Sequence, residues 1–281
     1  MTRLWKTLLP AMLAAPFLVL GWGYANLLAD PVRHDANVAM TNWPAGAPPL
    51  RVALIGDIHM QGPDMPAERV RRLAEQVNAA KPDLILLAGD YVGDRELSTR
   101  AYSEAEIAQA LAAFRAPMGV WAVLGNHDNG RRRGPMLKAL EKAGIPTLEN
   151  RVVKAGPLVL AGIGDWHSGK ARPAVVAKAA DKLRGPRLAF THSPDVIPRL
   201  GSKFGLVLAA HTHCGQIVLP LIGPVASSSR YSGRYRCGVV REGARVAIIT
   251  GGWGASVLPL RYGAPPDWWL LKLGGVSPPR S

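Results

Sequence analysis

Asp57, His59, Asp90, Asn126, His192, His211 and His213 are residues of the kinds that ligate divalent cations. They come in short clusters: Asp57-Ile58-His59, Gly89-Asp90, Gly125-Asn126-His127-Asp128, Thr191-His192 and His211-Thr212-His213. Five of the chain's seven histidines lie in them, which scattered structural histidines would not produce. Carboxylates bring negative charge and can bridge two cations, while neutral imidazoles suit manganese, iron or zinc. The mixture fits divalent transition metals better than calcium, which prefers all-oxygen cages. Glycines before Asp57, Asp90 and Asn126 permit tight turns at those points.

These residues need elements that bring them together. Each cluster follows an apolar run: Arg51–Ile55, Leu84–Ala88, Val120–Leu124, Leu188–Phe190 and Leu206–Ala210. Short uninterrupted runs of this kind suit strands buried on both faces. Pro66–Ala80 puts Val70, Leu73, Ala74 and Val77 on one side of a helix that Lys81-Pro82 stops. Ser103 and Glu106 form a capping-box pattern ahead of Ile107, Leu111 and Phe114. Further helices are expected from Pro135 to Gly144 and from Arg172 to Arg184. After His213, the runs Arg236–Val240 and Arg245–Thr250 flank Arg241-Glu242-Gly243-Ala244 as a hairpin. The alternation gives an α/β domain, residues 50–273, with a tail of 274–281 and no second domain boundary. In α/β sheets ligands bind beyond the carboxyl ends of strands. Five strand ends of this composition therefore point to one shared site.

The order and wording of the motifs resemble the calcineurin-like metallophosphoesterase superfamily, over roughly Leu50 to Leu271. Thr191-His192-Ser193-Pro194-Asp195, His211-Thr212-His213-Cys214-Gly215-Gln216 and Pro259–Pro266 resemble a narrower, membrane-associated bacterial subgroup. Two positions depart from the pattern: Ala210 stands where the family usually has glycine, and Cys214 where the subgroup often does. Both are small. The resemblance implies a four-layer α/β/β/α sandwich with two mixed sheets. It implies two divalent metal ions, one on Asp57, His59, Asp90 and His213, the other on Asp90, Asn126, His192 and His211. Asp90 would bridge them, and a shared hydroxide would attack phosphorus in line. His127 is implied to stabilise the phosphoryl charge or protonate the leaving oxygen, with Asp128 orienting it. Arg131 and Arg132 follow that loop, and guanidinium forks fit phosphate oxygens, so they are the candidate substrate-binding residues. Asp165-Trp166-His167 ends another apolar run, Leu158–Ile163. It is set aside as a polar loop end because the ligand set is complete without it.

The net charge of +14 favours phosphates, an anionic membrane surface or nucleic acid as partners. No interleaved aromatic and basic groove is evident, which disfavours nucleic acid. Cys214 and Cys237 are too few for a disulfide scaffold, but can close one bridge in an oxidising compartment. Arg3 and Lys6 precede an uncharged stretch, Thr7–Ala29, long enough for a membrane span. Residues 7–29 are expected to be a transmembrane anchor. Residues 30–49 are expected to be a linker broken by Asp30-Pro31, Asn42-Trp43-Pro44 and Pro48-Pro49. The basic residues favour a cytoplasmic N-terminus, which puts the domain on the periplasmic or extracytoplasmic side of the inner membrane. The expected function is dinuclear metal-dependent hydrolysis of a phosphoester or pyrophosphate bond. The expected substrate is a phosphorylated small molecule or lipid, or a nucleotide-linked lipid precursor such as an acylated glucosamine. The alternatives are a nuclease or cyclic-nucleotide phosphodiesterase, and a non-catalytic metal-stabilised membrane scaffold. Oligomeric state is left open.

Overall fold

A computed structural model of the chain describes residues 2–275, so most of the expected tail lies outside the described residues. In chain order the elements used below are helix α1 (Thr2–Leu28), strand β1 (Val32–Ala39), β2 (Leu50–Ile55), α2 (Ala67–Ala79), β3 (Leu84–Leu87), α3 (Glu104–Leu111), β4 (Val120–Ala122), α4 (Arg133–Lys142), β5 (Arg151–Ala155), β6 (Leu158–Ile163), α5 (Pro173–Ala180), β7 (Arg187–Thr191), β8 (Leu206–Ala209), β9 (Gly238–Glu242), β10 (Arg245–Ile249) and β11 (Asp267–Gly274). One sheet has the order β1-β11-β2-β3-β4 and the other β9-β10-β8-β7-β6-β5. Both are mixed: β2, β3 and β4 run parallel while β11 is antiparallel to β2, and β6, β7, β8 and β10 run parallel between antiparallel edges.

The unbroken apolar runs have a simple cause. Alternate side chains of a strand point to opposite faces, and here both faces are covered. Val52, Leu54, Leu84 and Leu86 join Leu188, Phe190, Leu206, Leu208 and Ile248 in the core between the sheets. Ala53, Ile55, Ile85 and Leu87 face outward beneath Val70, Leu73, Ile107, Leu111 and Leu140 of α2, α3 and α4. Ala161, Val207, Ala209 and Ile249 pack under Val176 and Ala180 of α5. The result is the expected four-layer α/β/β/α sandwich. The Ser103/Glu106 capping box is formed at α3, and β9 and β10 make the expected hairpin, tightened to a Gly243-Ala244 turn.

Two expectations about the N-terminal region are corrected. Residues 30–49 are not simply a linker. Val32–Ala39 pairs along its whole length with β11 as a parallel edge strand, in register Val32↔Asp267 to Ala39↔Gly274. Pro31 and Pro44 flank this strand without interrupting it, and β11 supplies the open edge that a reading of local breakers cannot see. The second concerns residues 7–29. They lie in α1, but among the described residues no helix is long and apolar enough to cross a membrane. From Leu13 onward, where side chains are described, Phe17, Leu18, Val19, Leu20 and Trp22 are exposed, whereas Leu27 is buried. The last turns dock on the domain: Arg261 N–H donates to the Gly23 carbonyl at 3.0 Å, and Asn26 Nδ2 donates to the Arg261 carbonyl at 3.1 Å.

Candidate metal centre

Strands β2, β3 and β4 of one sheet and β7 and β8 of the other deliver their carboxyl ends to one place. Asp57 and His59 follow β2, Asp90 follows β3, Asn126 follows β4, His192 follows β7, and His211 and His213 follow β8. Five of these seven, Asp57, His59, Asp90, His211 and His213, have φ between +47° and +72°. Non-glycine residues seldom adopt that left-handed region, Asp and His more readily than most, and five of them in one site need surroundings that hold them there. That support is visible. Gly252, at φ +71°, packs so closely on Asp57 that a Cβ there would overlap the Asp57 side chain, and Gly254 N–H donates to the Asp57 carbonyl at 2.7 Å.

All seven expected ligands meet. His59 Nε2 is 3.2 Å from His213 Nε2 and 3.7 Å from Asp90 Oδ2. His192 Nε2 is 3.1 Å from Asp90 Oδ2, 3.1 Å from Asn126 Oδ1 and 3.0 Å from His211 Nδ1. His213 Nε2 is 3.9 Å from Asp57 Oδ1. The triads Asp57/His59/His213 and Asp90/His192/His211 each bring three potential ligand atoms within 4.8 Å of one another, and all six residues are buried.

The donor set fits metal cations on two observations. First, three imidazoles have their distal nitrogen on a carbonyl: His59 Nδ1 on Val92 at 3.1 Å, His192 Nδ1 on Ala88 at 2.8 Å and His211 Nε2 on Ser228 at 3.0 Å. Those contacts fix the ring orientation and turn the other nitrogen's lone pair inward. Second, Asp57 Oδ1 is a buried acceptor with no hydrogen-bond partner, which costs about 1–3 kcal/mol unless something positive meets it. Charge tells the same story. Burial pushes Asp57 up to about 7 and the neighbouring Asp90 charge adds to this. Burial opposes a charged His192, yet the Asp90 and Asp57 carboxylates outweigh it and raise that ring to about 10. Burial holds His59 down at about 3 and His211, beside His192, at about 4. The centre demands positive charge, and either a proton or a metal cation meets that demand.

His127 stands beside the cluster, partly exposed. Its Nε2 is 4.0 Å from Asp90 Oδ2. Its Nδ1 is 2.8 Å from both carboxylate oxygens of Asp94. Burial would lower its pKa, but the Asp94 hydrogen bond and the Asp90 charge raise it to about 9. The residue that orients His127 is therefore Asp94, not Asp128. Asp128 is fully buried and turns away, accepting the backbone N–H groups of Asp90, Tyr91, Val92 and Gly125 at 2.7–3.0 Å. It ties the Asp90 loop to the Asn126 loop. Asp94 is signalled in the sequence only by lying four residues past Asp90 in a loop without periodicity.

The arginine expectations fare differently. Arg132 is committed to an ion pair with Glu104 of α3 at 3.2 Å and does not line the cavity over the centre. The Arg131 side chain lies outside the described residues. His167, set aside from the sequence, does line that cavity. Its ring centroid is 4.4 Å from that of His211, and its Nε2 donates to the Ser228 carbonyl at 2.7 Å. Arg261 lies fully buried behind the centre, donating to the carbonyls of Gly251 and Gly254 at 2.7 and 2.6 Å. Cys214, adjacent to His213, is disulfide-bonded to Cys237.

The cavity has a volume of about 560 Å³. Its floor is Asp90, Asn126, His127, His211 and His213, and its walls include Ile217, Val225, Val257 and Leu258. A larger recess of about 830 Å³, between Trp43 and Arg187, includes Asp181 as its only carboxylate and no histidine or cysteine.

The comparisons with known proteins agree with this geometry. Calcineurin-like phosphoesterase is the family description that matches, over residues 50–215. The chain is 32% identical to Phosphodiesterase YaeI of Escherichia coli (strain K12) over 270 residues, 90% of this chain and 93% of that one. It is 26% identical to Uncharacterized metallophosphoesterase YkuE of Bacillus subtilis (strain 168), covering 92% of this chain and 91% of that one. It is 24% identical to Transmembrane protein with metallophosphoesterase domain of Danio rerio, covering 91% of this chain and 60% of that one. The chain belongs to the calcineurin-like phosphoesterase family and is a metal-dependent phosphoesterase.

Proposed function

We propose that this chain uses two divalent cations to hydrolyse a phosphodiester or pyrophosphate bond in a phosphorylated lipid or nucleotide-linked lipid precursor at a membrane surface. Asp57, His59, Asp90 and His213 would hold one cation, Asp90, Asn126, His192 and His211 the other. The observation that carries the reading is the convergence of six buried donors and the half-buried Asn126 at five strand ends, three of them imidazoles held by distal carbonyl contacts. Divalent cations bound there supply Lewis-acid charge for the phosphoryl oxygens and acidify water. The chain's own groups do the rest. His127, held by Asp94 with its Nε2 beside Asp90, donates its proton to the leaving oxygen as the P–O bond breaks. One water is consumed, and the proton it releases restores His127.

The lipid part rests on the cavity walls. Segment 256–262 runs from the cavity, through Val257 and Leu258, to Arg261, which bonds to α1. An apolar wall thus leads from the polar floor toward the exposed apolar face of α1, the arrangement an acyl chain would use. We propose that α1 holds the domain at the membrane on its extracytoplasmic side, and the Cys214–Cys237 bond supports an oxidising compartment. The test is a substrate panel on metal-quantified protein: a chromogenic phosphodiester, a nucleotide-linked acylated sugar pyrophosphate and single-stranded DNA. The reading predicts hydrolysis of the first two, with the lipid-linked substrate preferred. Preference for DNA would replace it with a nuclease.

A further inference from the structure

The loop that walls the cavity carries a hairpin without any charged or hydrogen-bonding side chain, Val218-Leu219-Pro220-Leu221-Ile222-Gly223-Pro224-Val225. Val218–Leu219 and Gly223–Pro224 pair antiparallel, and Val225 N–H closes on the Ile217 carbonyl at 2.9 Å. The tip stands in solvent, with Leu221 fully exposed and Ile222 76% exposed. Leu221 also sits at φ +64°, a conformation that costs a branched side chain of order 1 kcal/mol or more. Among the described residues, none covers the Leu221 side chain.

The hairpin is continuous with two other apolar surfaces. Val218 N–H donates to the Tyr262 carbonyl at 2.8 Å. Tyr262 in turn meets Trp22 of α1 edge-to-face, ring centroids 6.0 Å apart. Hairpin and helix thus share one buttress, and α1 adds exposed Phe17, Leu18 and Trp22. Val257, on the cavity wall, is 82% exposed. Monomeric proteins seldom leave such a contiguous patch uncovered. The chain leaving the hairpin brings exposed Arg230 and Arg236, and the chain as a whole carries +14. Apolar residues that penetrate, aromatics beside them and basic residues around them match an anionic bilayer.

We propose that the hairpin tip, together with the exposed face of α1, inserts into the interfacial layer of an anionic phospholipid membrane and seats the cavity mouth on it. This rests on the proposed function for what the cavity does, but not for the contact itself. The test uses the full chain with a polarity-sensitive fluorophore on Leu221→Cys, the native cysteines being bonded to each other. Val175→Cys on α5, exposed but outside the patch, is the reference. Phosphatidylcholine–phosphatidylglycerol vesicles should blue-shift and brighten the label at 221 and leave that at 175 unchanged, with a weaker effect from phosphatidylcholine alone. No change at 221 overturns the proposal. So does an equal change at 221 on raising protein concentration without vesicles, which would identify a second copy as the occupant. Leu221→Asp combined with Ile222→Asp should lower vesicle partition roughly tenfold and leave hydrolysis of a soluble phosphodiester unchanged; unaltered partition contradicts it. If the unmodified chain inserts but hydrolyses no soluble phosphodiester with metal bound, the proposed function fails and the membrane contact stands.

Discussion

At the floor of the cavity Asp90, with Asp57 and His192 of the same centre behind it, is sealed from solvent, whereas on the rim Leu221 and Val257 stand almost wholly in it. The two regions invert the usual partition of polar and apolar side chains in opposite directions. Both include residues at positive φ, which the surrounding chain must hold. The floor is over-determined: distal carbonyls, the Gly252 contact and the Asp128 ties each fix part of it. The rim hairpin is held by backbone bonds, and the rim turns the side chains of Leu221, Ile222 and Val257 to solvent. A preorganised floor suits charge stabilisation of a reacting phosphoryl group, and an exposed apolar rim suits a partner supplied from outside.

Substitutions can test each side of that contrast. On the floor, His127→Ala should lower kcat by roughly 10²–10⁴-fold while bound metal stays unchanged by elemental analysis; a matching loss of metal would make His127 a ligand instead. Asp128→Ala leaves four backbone N–H groups without an acceptor. It should destabilise the fold by about 3 kcal/mol or more, read by denaturant unfolding, and a normal midpoint would show that the loops do not depend on it. Asp94→Ala should do the reverse, with little change in stability and a roughly tenfold fall in kcat at near-constant KM. Partial rescue by Asp94→Glu would separate positioning from packing. At the rim, Val257→Ser with Leu258→Ser should raise KM for a lipid-linked substrate by roughly three- to tenfold and leave a soluble diester unaffected. Equal effects on both substrates would erase the distinction between floor and rim.

The same contrast decides what could be read from the chain alone. The floor was legible because ligand types recur at the ends of apolar runs, and a strand end fixes where its next residues go. Asp90 and His192 are remote in sequence yet inevitable neighbours once β3 and β7 stand in facing sheets. Sequence adjacency misled at Asp128, which follows His127 but turns to the opposite side of the loop. It gave no hint of Asp94, whose loop has no periodicity. Strand β1 was hidden because an edge strand depends on a partner more than 200 residues away rather than on its own pattern. The rim carries no comparable signal, because Val218–Val225 holds no ligand-type side chain and its Pro and Gly residues mark only turn chemistry.

The central claim is that five strand ends hold two cations that make the site hydrolytic. It is tested most directly by titrating manganese into metal-stripped protein while following both bound metal and hydrolysis of a chromogenic phosphodiester, with Asp90→Asn run beside it. The account predicts that activity rises with metal and saturates at two bound ions per chain, and that Asp90→Asn binds less metal and stays inactive. Full activity in the stripped protein, or none with two ions bound, would contradict it.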